Sequence, residues 1–246
     1  VEVRINQLGQ PIGQEVSGWT PPPAPPRTRL AGGEYCRIEP LEPSRHTEAL
    51  WDAFALDRDE RNWTYLAHGP YSTRAEFATW LRGAASTADP LFFAVVDGVS
   101  GRAVGVAAYL RIAPAAGSIE VGHINFSPLL QRTPAATEAM YLMMRHAFEL
   151  GYRRYEWKCD ALNAPSHAAA QRLGFSFEGI FRQALVYKGR NRDTAWYAVI
   201  DQEWPALKAA FERWLAPDNF DASGRQRKRL KEFRTDSGRS VMIWPT

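Results

Sequence analysis

The chemistry-bearing residues of this 246-residue chain concentrate in two short stretches. The first runs Glu120-Val-Gly-His-Ile-Asn-Phe-Ser-Pro-Leu-Leu-Gln-Arg-Thr-Pro-Ala-Ala136. It predicts a strand, a tight turn and the first turn of a helix. Such a junction aims several unpaired backbone N–H groups at one point, and the helix dipole adds roughly half a positive charge there. That is a phosphate cradle, and it needs no cationic side chain. The second stretch, Asn163-Ala-Pro-Ser166, opens a shorter helix that ends at Leu173-Gly-Phe175. Together they suggest a ligand with a pyrophosphate and a long tail. A Thr-Pro helix start and an Asn or Ser helix cap are the plainer readings of the same residues.

Two side chains on the first strand could handle a proton. Glu120 stands in a predicted buried strand, where desolvation raises a carboxyl pKa and makes it a better base. Its plainer role is a hydrogen bond to a loop. His123 is the competitor, although a lone strand histidine is more often a packed residue. Strict alternation puts Glu120 on one face with Gly122, Ile124 and Phe126, and His123 on the other with Val121 and Asn125. At most one then faces a shared ligand, unless a β-bulge shifts the count. In the cradle, Pro134 has no N–H to give a phosphate. It suits the first helical position, with Thr133 as the cap. The amides of Arg132, Thr133, Ala135 and Ala136 remain, and the Arg132 guanidinium can add charge.

The elements that must hold these groups follow from periodicity. Strands are predicted over 35–40, 91–96, 104–112, 118–126, 154–159, 175–180 and 194–200. Helices are predicted over 46–55, 73–84, 134–150, 166–173 and 202–215. Antiparallel strands followed by crossover helices imply an α+β fold with a mixed sheet. An aromatic-rich loop spans 62–71, and residues 187–193 read as a turn. Residues 1–30 form an arm stiffened by Pro21-Pro-Pro-Ala-Pro-Pro26. Packing over the domain, anchored by Trp19, is favoured over recognition by an SH3-like partner. The 216–246 tail carries Arg225-Gln-Arg-Lys-Arg-Leu-Lys231. It reads as a solvated basic tail in preference to a nucleic-acid or membrane patch. Its last residues, 241–246, give no signal.

Bulk properties narrow the class. Hydrophobic residues at 45% and charged residues at 23% suit a globular domain, and a net charge of +3 selects no partner. Cys36 and Cys159 show no zinc spacing and fit a reducing cytoplasm as free thiols. No signal-peptide pattern and no membrane-spanning run is evident.

Taken together, Ile119-Glu-Val-Gly122, Phe126-Ser-Pro128, Gln131-Arg-Thr-Pro-Ala-Ala-Thr-Glu-Ala139, Asn163-Ala-Pro-Ser166 and Arg172-Leu-Gly-Phe175 resemble the GNAT superfamily of acyl-CoA-dependent N-acetyltransferases, in its RimJ/RimL-like branch. The resemblance covers roughly residues 35–200. It implies a mostly antiparallel sheet of about seven strands flanked by helices, and acetyl-CoA as cofactor. Gln131 to Ala136 matches the family's pyrophosphate loop, with Pro134 where a glycine usually stands. Phe126, Ser127 and Leu129 would then border the cofactor beside Gln131, Arg132, Thr133, Ala135 and Ala136. Asn163 would hold the pantetheine arm. Ser166 would lie near the thioester; because Ala170 stands where many relatives have a tyrosine, Ser166 or a water would protonate the departing thiolate.

The implied reaction is direct transfer of acetyl to a primary amine in a ternary complex. An alkylamine is mostly protonated at neutral pH, so a base is required, and Glu120 is the choice. A backbone N–H at the end of the 119–126 strand would meet the carbonyl charge. Loops should select the acceptor. Trp63, Tyr65, His68 and Tyr71 suit a flat or apolar group, with His123 nearby, although Trp63 could equally complete the core. Tyr187 with Lys188, Arg190 and Arg192 suits an anionic group. The acceptor is expected to be a small molecule, with a protein N-terminus as the other possibility. A homodimer is possible, and nucleic-acid or membrane partners are not expected. The alternative is a non-catalytic acyl-CoA-binding or interaction module, which Pro134 and Ala170 favour.

Overall fold

A computed structural model describes residues 3–234. After a small hairpin of β1 (Arg4–Ile5) and β2 (Pro11–Ile12), the chain forms β3 (Cys36–Pro40), α1 (Pro43–Phe54), α2 (Arg74–Ser86), β4 (Leu91–Asp97), β5 (Ala103–Ala113) and β6 (Ser118–Phe126). It continues through α3 (Pro134–Glu149), β7 (Arg154–Asp160), α4 (Ala164–Arg172), β8 (Ser176–Tyr187), β9 (Arg190–Ile200) and α5 (Trp204–Leu215). Seven strands make one sheet in the order β3-β4-β5-β6-β7-β9-β8. Only β6–β7 is parallel, as a strand–helix–strand crossover through α3 requires.

Each face of the sheet has its own core. Leu50, Phe54, Phe77 and Leu81 of α1 and α2 pack on Phe92, Val106 and Ala108. On the other face, Met140, Met143 and Met144 of α3 and Phe211 of α5 pack on Ile119, Val121, Tyr155 and Tyr197. Both helical starts anticipated near threonines are present. Thr73 and Glu76 form a capping box, and Thr133 Oγ1 accepts from the Ala136 amide (3.2 Å), with Pro134 at the first helical position. Glu138 of α3 is buried and accepts the amides of Glu34, Tyr35 and Cys36, which docks the start of β3.

Two features of the sheet position the site. First, β6 pairs with β7 only from Ser118–Arg154 to Val121–Trp157, although both strands run on. Beyond Val121 they part and leave a wedge. Second, His123 has φ 48°, and the β5–β6 register shifts between Val106 and Ala108. This is a β-bulge. It overturns the strict alternation expected for the strand. Glu120 and Gly122 lie opposite Leu110 and Ala108, on the α1–α2 face. The His123 ring packs on Phe92 of that same face. Asn125 follows it, opposite Val106, while Ile124 and Phe126 turn to the α3 core.

Other expectations change at the edges. Residues 187–193 are not an open turn. β8 runs to Tyr187, Lys188 (φ 49°) and Gly189 (φ 70°) make a two-residue turn, and β9 starts at Arg190. The arm does pack over the domain. Pro22 and Pro25 are buried, Tyr152 donates to the Pro23 carbonyl (3.2 Å), and Arg153 lies over the Trp19 ring. Cys36 and Cys159 are free and buried. The tail is not simply solvated over its described part, 216–234. Leu230 is 2% exposed, Trp214 Nε1 donates to Gln226 (2.9 Å), and buried Asn219 bonds the carbonyls of Trp214 and Lys228. Residues 241–246 lie outside the described residues. Among the described residues no helix is long and apolar enough to cross a membrane.

Candidate active site

Glu120 sits where β6 and β7 begin to part and is 3% exposed. Arg111 Nη1 approaches it at 2.8 Å and Lys158 Nζ at 2.9 Å. Lys158 also holds Glu156 (2.7 Å), which pairs with Arg154 (2.6 Å), which pairs with Glu178. Three cations and three carboxylates thus form a formally neutral ladder across β5 to β8. Lys158 Nζ further lies 3.6 Å from the Trp196 ring centroid, a cation–π contact. Burial pushes the Glu120 carboxyl above its ordinary range, while Lys158 and Arg111 hold it back. The sequence reading found Glu120 but not Arg111 or Lys158. Alternation of Lys158 with Glu156 on β7 was the available signal.

Above Glu120 lies a cluster of rings. His68 stacks on Trp80 (4.4 Å between centroids) and on His123 (5.7 Å), and Trp63 packs edge-on to Tyr71. Trp63 is 6% exposed and belongs to the α1–α2 core. Burial drives His68 down to about 3, helped by His123 and Lys188, so it is neutral at pH 7. His123 is also pushed down, by burial, Arg111 and Arg192. Both ring nitrogens of His68, the Tyr71 hydroxyl and the Asn125 amide are buried without a partner among the described residues. Buried polar atoms are nearly always satisfied, so this group marks a place for a hydrogen-bonding ligand.

The β8–β9 hairpin and the aromatic loop are tied together. Lys188 Nζ donates to the Trp63 carbonyl (2.8 Å), Arg190 to that of Thr64 (2.8 Å), and Tyr65 to that of Leu162 (3.1 Å). Lys188 and Arg190 are therefore committed to the roof of the site rather than open to an anion. Arg192 bonds Thr194 Oγ1 and acts electrostatically on His123. Tyr187 is buried and donates to Asp160 (2.9 Å).

Across the wedge, the cradle is narrower than the sequence suggested. The Thr133 amide donates to the Leu130 carbonyl and the Ala136 amide to the Thr133 side chain. The amides of Arg132 and Ala135 carry no partner among the described residues. Arg132 holds φ 62°, in the left-handed region. Gln131 reaches back to the Phe126 carbonyl (2.7 Å) and to Asn62. Ser127 is fully buried, its hydroxyl unpartnered, while Leu129 is 57% exposed. Asn163 Oδ1 caps α4 by accepting the Ser166 amide (3.2 Å). Ser166 Oγ accepts from Trp157 Nε1 (3.0 Å), and its hydroxyl acts on Cys159 Sγ. Ala170 is fully buried.

A cavity of about 1180 Å³ opens beside the start of α3, between α4 and residues 214–234. The open amides, the orphaned Ser127 hydroxyl at the parting strands and this basic cavity suit a ligand with phosphates and a polar arm.

Comparison with known proteins agrees. An acetyltransferase (GNAT) domain model matches residues 37–176. A GCN5-related N-acetyltransferase structure from Brucella melitensis is 53% identical, with a TM-score of 0.87, covering 89% of this chain and 99% of that one. An uncharacterized N-acetyltransferase, YnaD, of Bacillus subtilis is 28% identical over 86 residues, 35% of this chain and half of that protein's length. A Salmonella typhimurium acetyl transferase that modifies the N-terminal serine of a ribosomal subunit protein is 20% identical, with a TM-score of 0.60. It covers 70% of this chain and 98% of that one, and shares the fold. With the wedge, the cradle and the matched domain in agreement, the chain belongs to the GNAT family of acetyltransferases.

Proposed function

We propose that this protein transfers an acetyl group from acetyl-CoA to a small primary amine by direct attack. The observation that carries this reading is the placement of Glu120. It is a buried carboxylate, pushed upward in pKa, on the acceptor side of the β6–β7 wedge. Acetyl-CoA supplies the activated acyl carbon when bound.

The chain's residues supply the rest. Glu120 takes a proton from the incoming ammonium, and the neutral ladder around it absorbs that charge change. The free amine attacks the carbonyl, the carbon–sulfur bond breaks, and a proton reaches the sulfur. Ser166 is the proposed donor, its oxygen being fixed by Trp157. Asn163, Arg132 and the Ala135 amide hold the cofactor. Strand-end backbone N–H groups near Phe126 meet the developing oxyanion.

On the acceptor side, His68, Tyr71, His123 and Asn125 offer rings with unmatched polar atoms, and Arg192 suits an anionic group. The roof pinned by Lys188, Arg190 and Tyr65 favours a small acceptor over a folded protein surface.

A panel of small amines and N-terminal peptides, assayed by release of free thiol from acetyl-CoA, tests this. Turnover of small amines supports the proposal, and turnover of peptides alone would replace the acceptor class. Saturable binding without turnover on the whole panel would favour the binding-module reading, to which the buried Ala170 and Pro134 lend support.

A further inference from the structure

The basic segment near the end of the chain is built into a ligand cavity. Residues 217–234 fold back from α5 and form the wall opposite the start of α3. The cavity is lined by Arg132, Arg172, Arg225, Arg229, Lys231 and Arg234, and by no aspartate or glutamate among the described residues.

The wall is held by specific contacts. Leu230 inserts into the α3–α5 core, Asn219 clasps the carbonyls of Trp214 and Lys228, and Arg234 Nη1 donates to the Gln171 carbonyl at the end of α4 (3.1 Å). The 3₁₀ turn Leu230–Glu232 therefore presents Arg229 and Lys231 on either side of a buried anchor. Arg172 faces them from α4. Its guanidinium donates to Thr137 Oγ1 (3.0 Å), it has no ion pair among the described residues, and the protein crowded around it pulls its pKa down. Arg225 pairs with Asp221 (3.2 Å), whereas Arg132, Arg172, Arg229 and Lys231 have no ion pair among the described residues. Concentrating these four cations repels the folded state, unless an anion of high charge enters.

We propose that this segment is a nucleotide clamp in which Arg229 and Lys231 bind the 3′-phosphate of coenzyme A while Arg132 and Arg172 face its pyrophosphate. The proposal rests on the acetyl-CoA reading above. The segment lies beyond the matched family domain, which ends at residue 176. Its chemistry suits a phosphate monoester: guanidinium and ammonium donors form charge-assisted bonds to its oxygens.

Calorimetric titration of the full chain with acetyl-CoA and with its 3′-dephospho form tests the clamp. The protein should prefer acetyl-CoA by about tenfold or more, the range expected for charge-assisted bonds to one phosphate. In Arg229→Ala/Lys231→Ala that preference should collapse, with affinity for the dephospho form unchanged. Arg74→Ala/Arg82→Ala, which removes the same charge from α2, should keep it. If the alanine pair lowers the thermal midpoint, Arg229→Lys/Lys231→Arg must restore both midpoint and preference. A retained preference in the alanine pair, or equal affinity of the unaltered protein for both ligands, overturns the clamp and leaves acetyl transfer standing. Failure to bind either ligand overturns both.

Discussion

The two sides of the β6–β7 wedge solve opposite electrostatic problems. The proposed cofactor side is open and basic, lined among the described residues by six cations and no carboxylate. The proposed acceptor side is buried, with a charge ladder balanced to zero and rings whose polar atoms have no partner among the described residues. One side attracts an anion through field and solvent, so its strength depends on ionic strength. The other gains leverage from desolvation, which shifts proton affinities and makes unmatched donors costly. Binding and chemistry are therefore assigned to different physical terms, and single substitutions should separate them.

The largest separation is expected from Glu120→Gln. Loss of the base should cut kcat by about 10²–10⁴-fold. Acetyl-CoA affinity, measured by calorimetry, should stay as it was. Full activity at neutral pH would remove Glu120 from the chemistry. In the unaltered enzyme, kcat/KM should rise with pH through a group above the ordinary carboxylate range, because Glu120 must be ionised to act and burial raises its pKa.

Lys158→Met attacks the ladder. It leaves Glu120 and Glu156 facing each other on adjacent strands, at a cost of about 3–5 kcal/mol for a broken buried pair. Urea denaturation reads that loss. The acid limb of the pH–rate profile should also move upward, since the main cation opposing the shift has gone. An unmoved limb would mean that another group sets it.

Arg132→Ala probes the open side. Acetyl-CoA affinity should fall by about tenfold at low salt, and by less at high salt, with kcat preserved. A fall in kcat with unchanged affinity would break the division between the two sides.

His68→Phe is the smallest change. It removes two unsatisfied buried nitrogens, so stability at pH 7 should hold or rise by about 1 kcal/mol, while KM for the amine increases. The folded protein refuses a proton on His68 until about pH 3, whereas the unfolded chain accepts one near 6.5. Stability should therefore fall as pH drops from 6.5 towards 3, and that slope should flatten in the variant.

The main architecture was legible because periodicity and capping are local. The four-residue spacing of Leu50 and Phe54, the continuous apolar run of β4 and the Thr133-Pro134 start all give their elements directly. The extended β8–β9 hairpin was shortened in the sequence reading. Its residues are mostly exposed, and 181–186 carry no clean alternation. Glu120, Asn163, Ser166 and the cradle were likewise visible as residue types at set spacings. Arg111, Lys158, Asn125 and Arg172 were not, because each acquires its role from a neighbour on another element.

The sequence by itself determined the elements, the family and the short motifs, since these depend on residues within one helical turn or one strand. Tertiary structure alone decided three things. The bulge at His123 turned Glu120, His123 and Asn125 to one face. The ladder from Arg111 to Glu178 set the charge around the candidate base. The return of residues 217–234 converted a basic run into a wall facing the start of α3. Each depends on register and long-range packing, where a shift of one residue reverses the face a side chain presents.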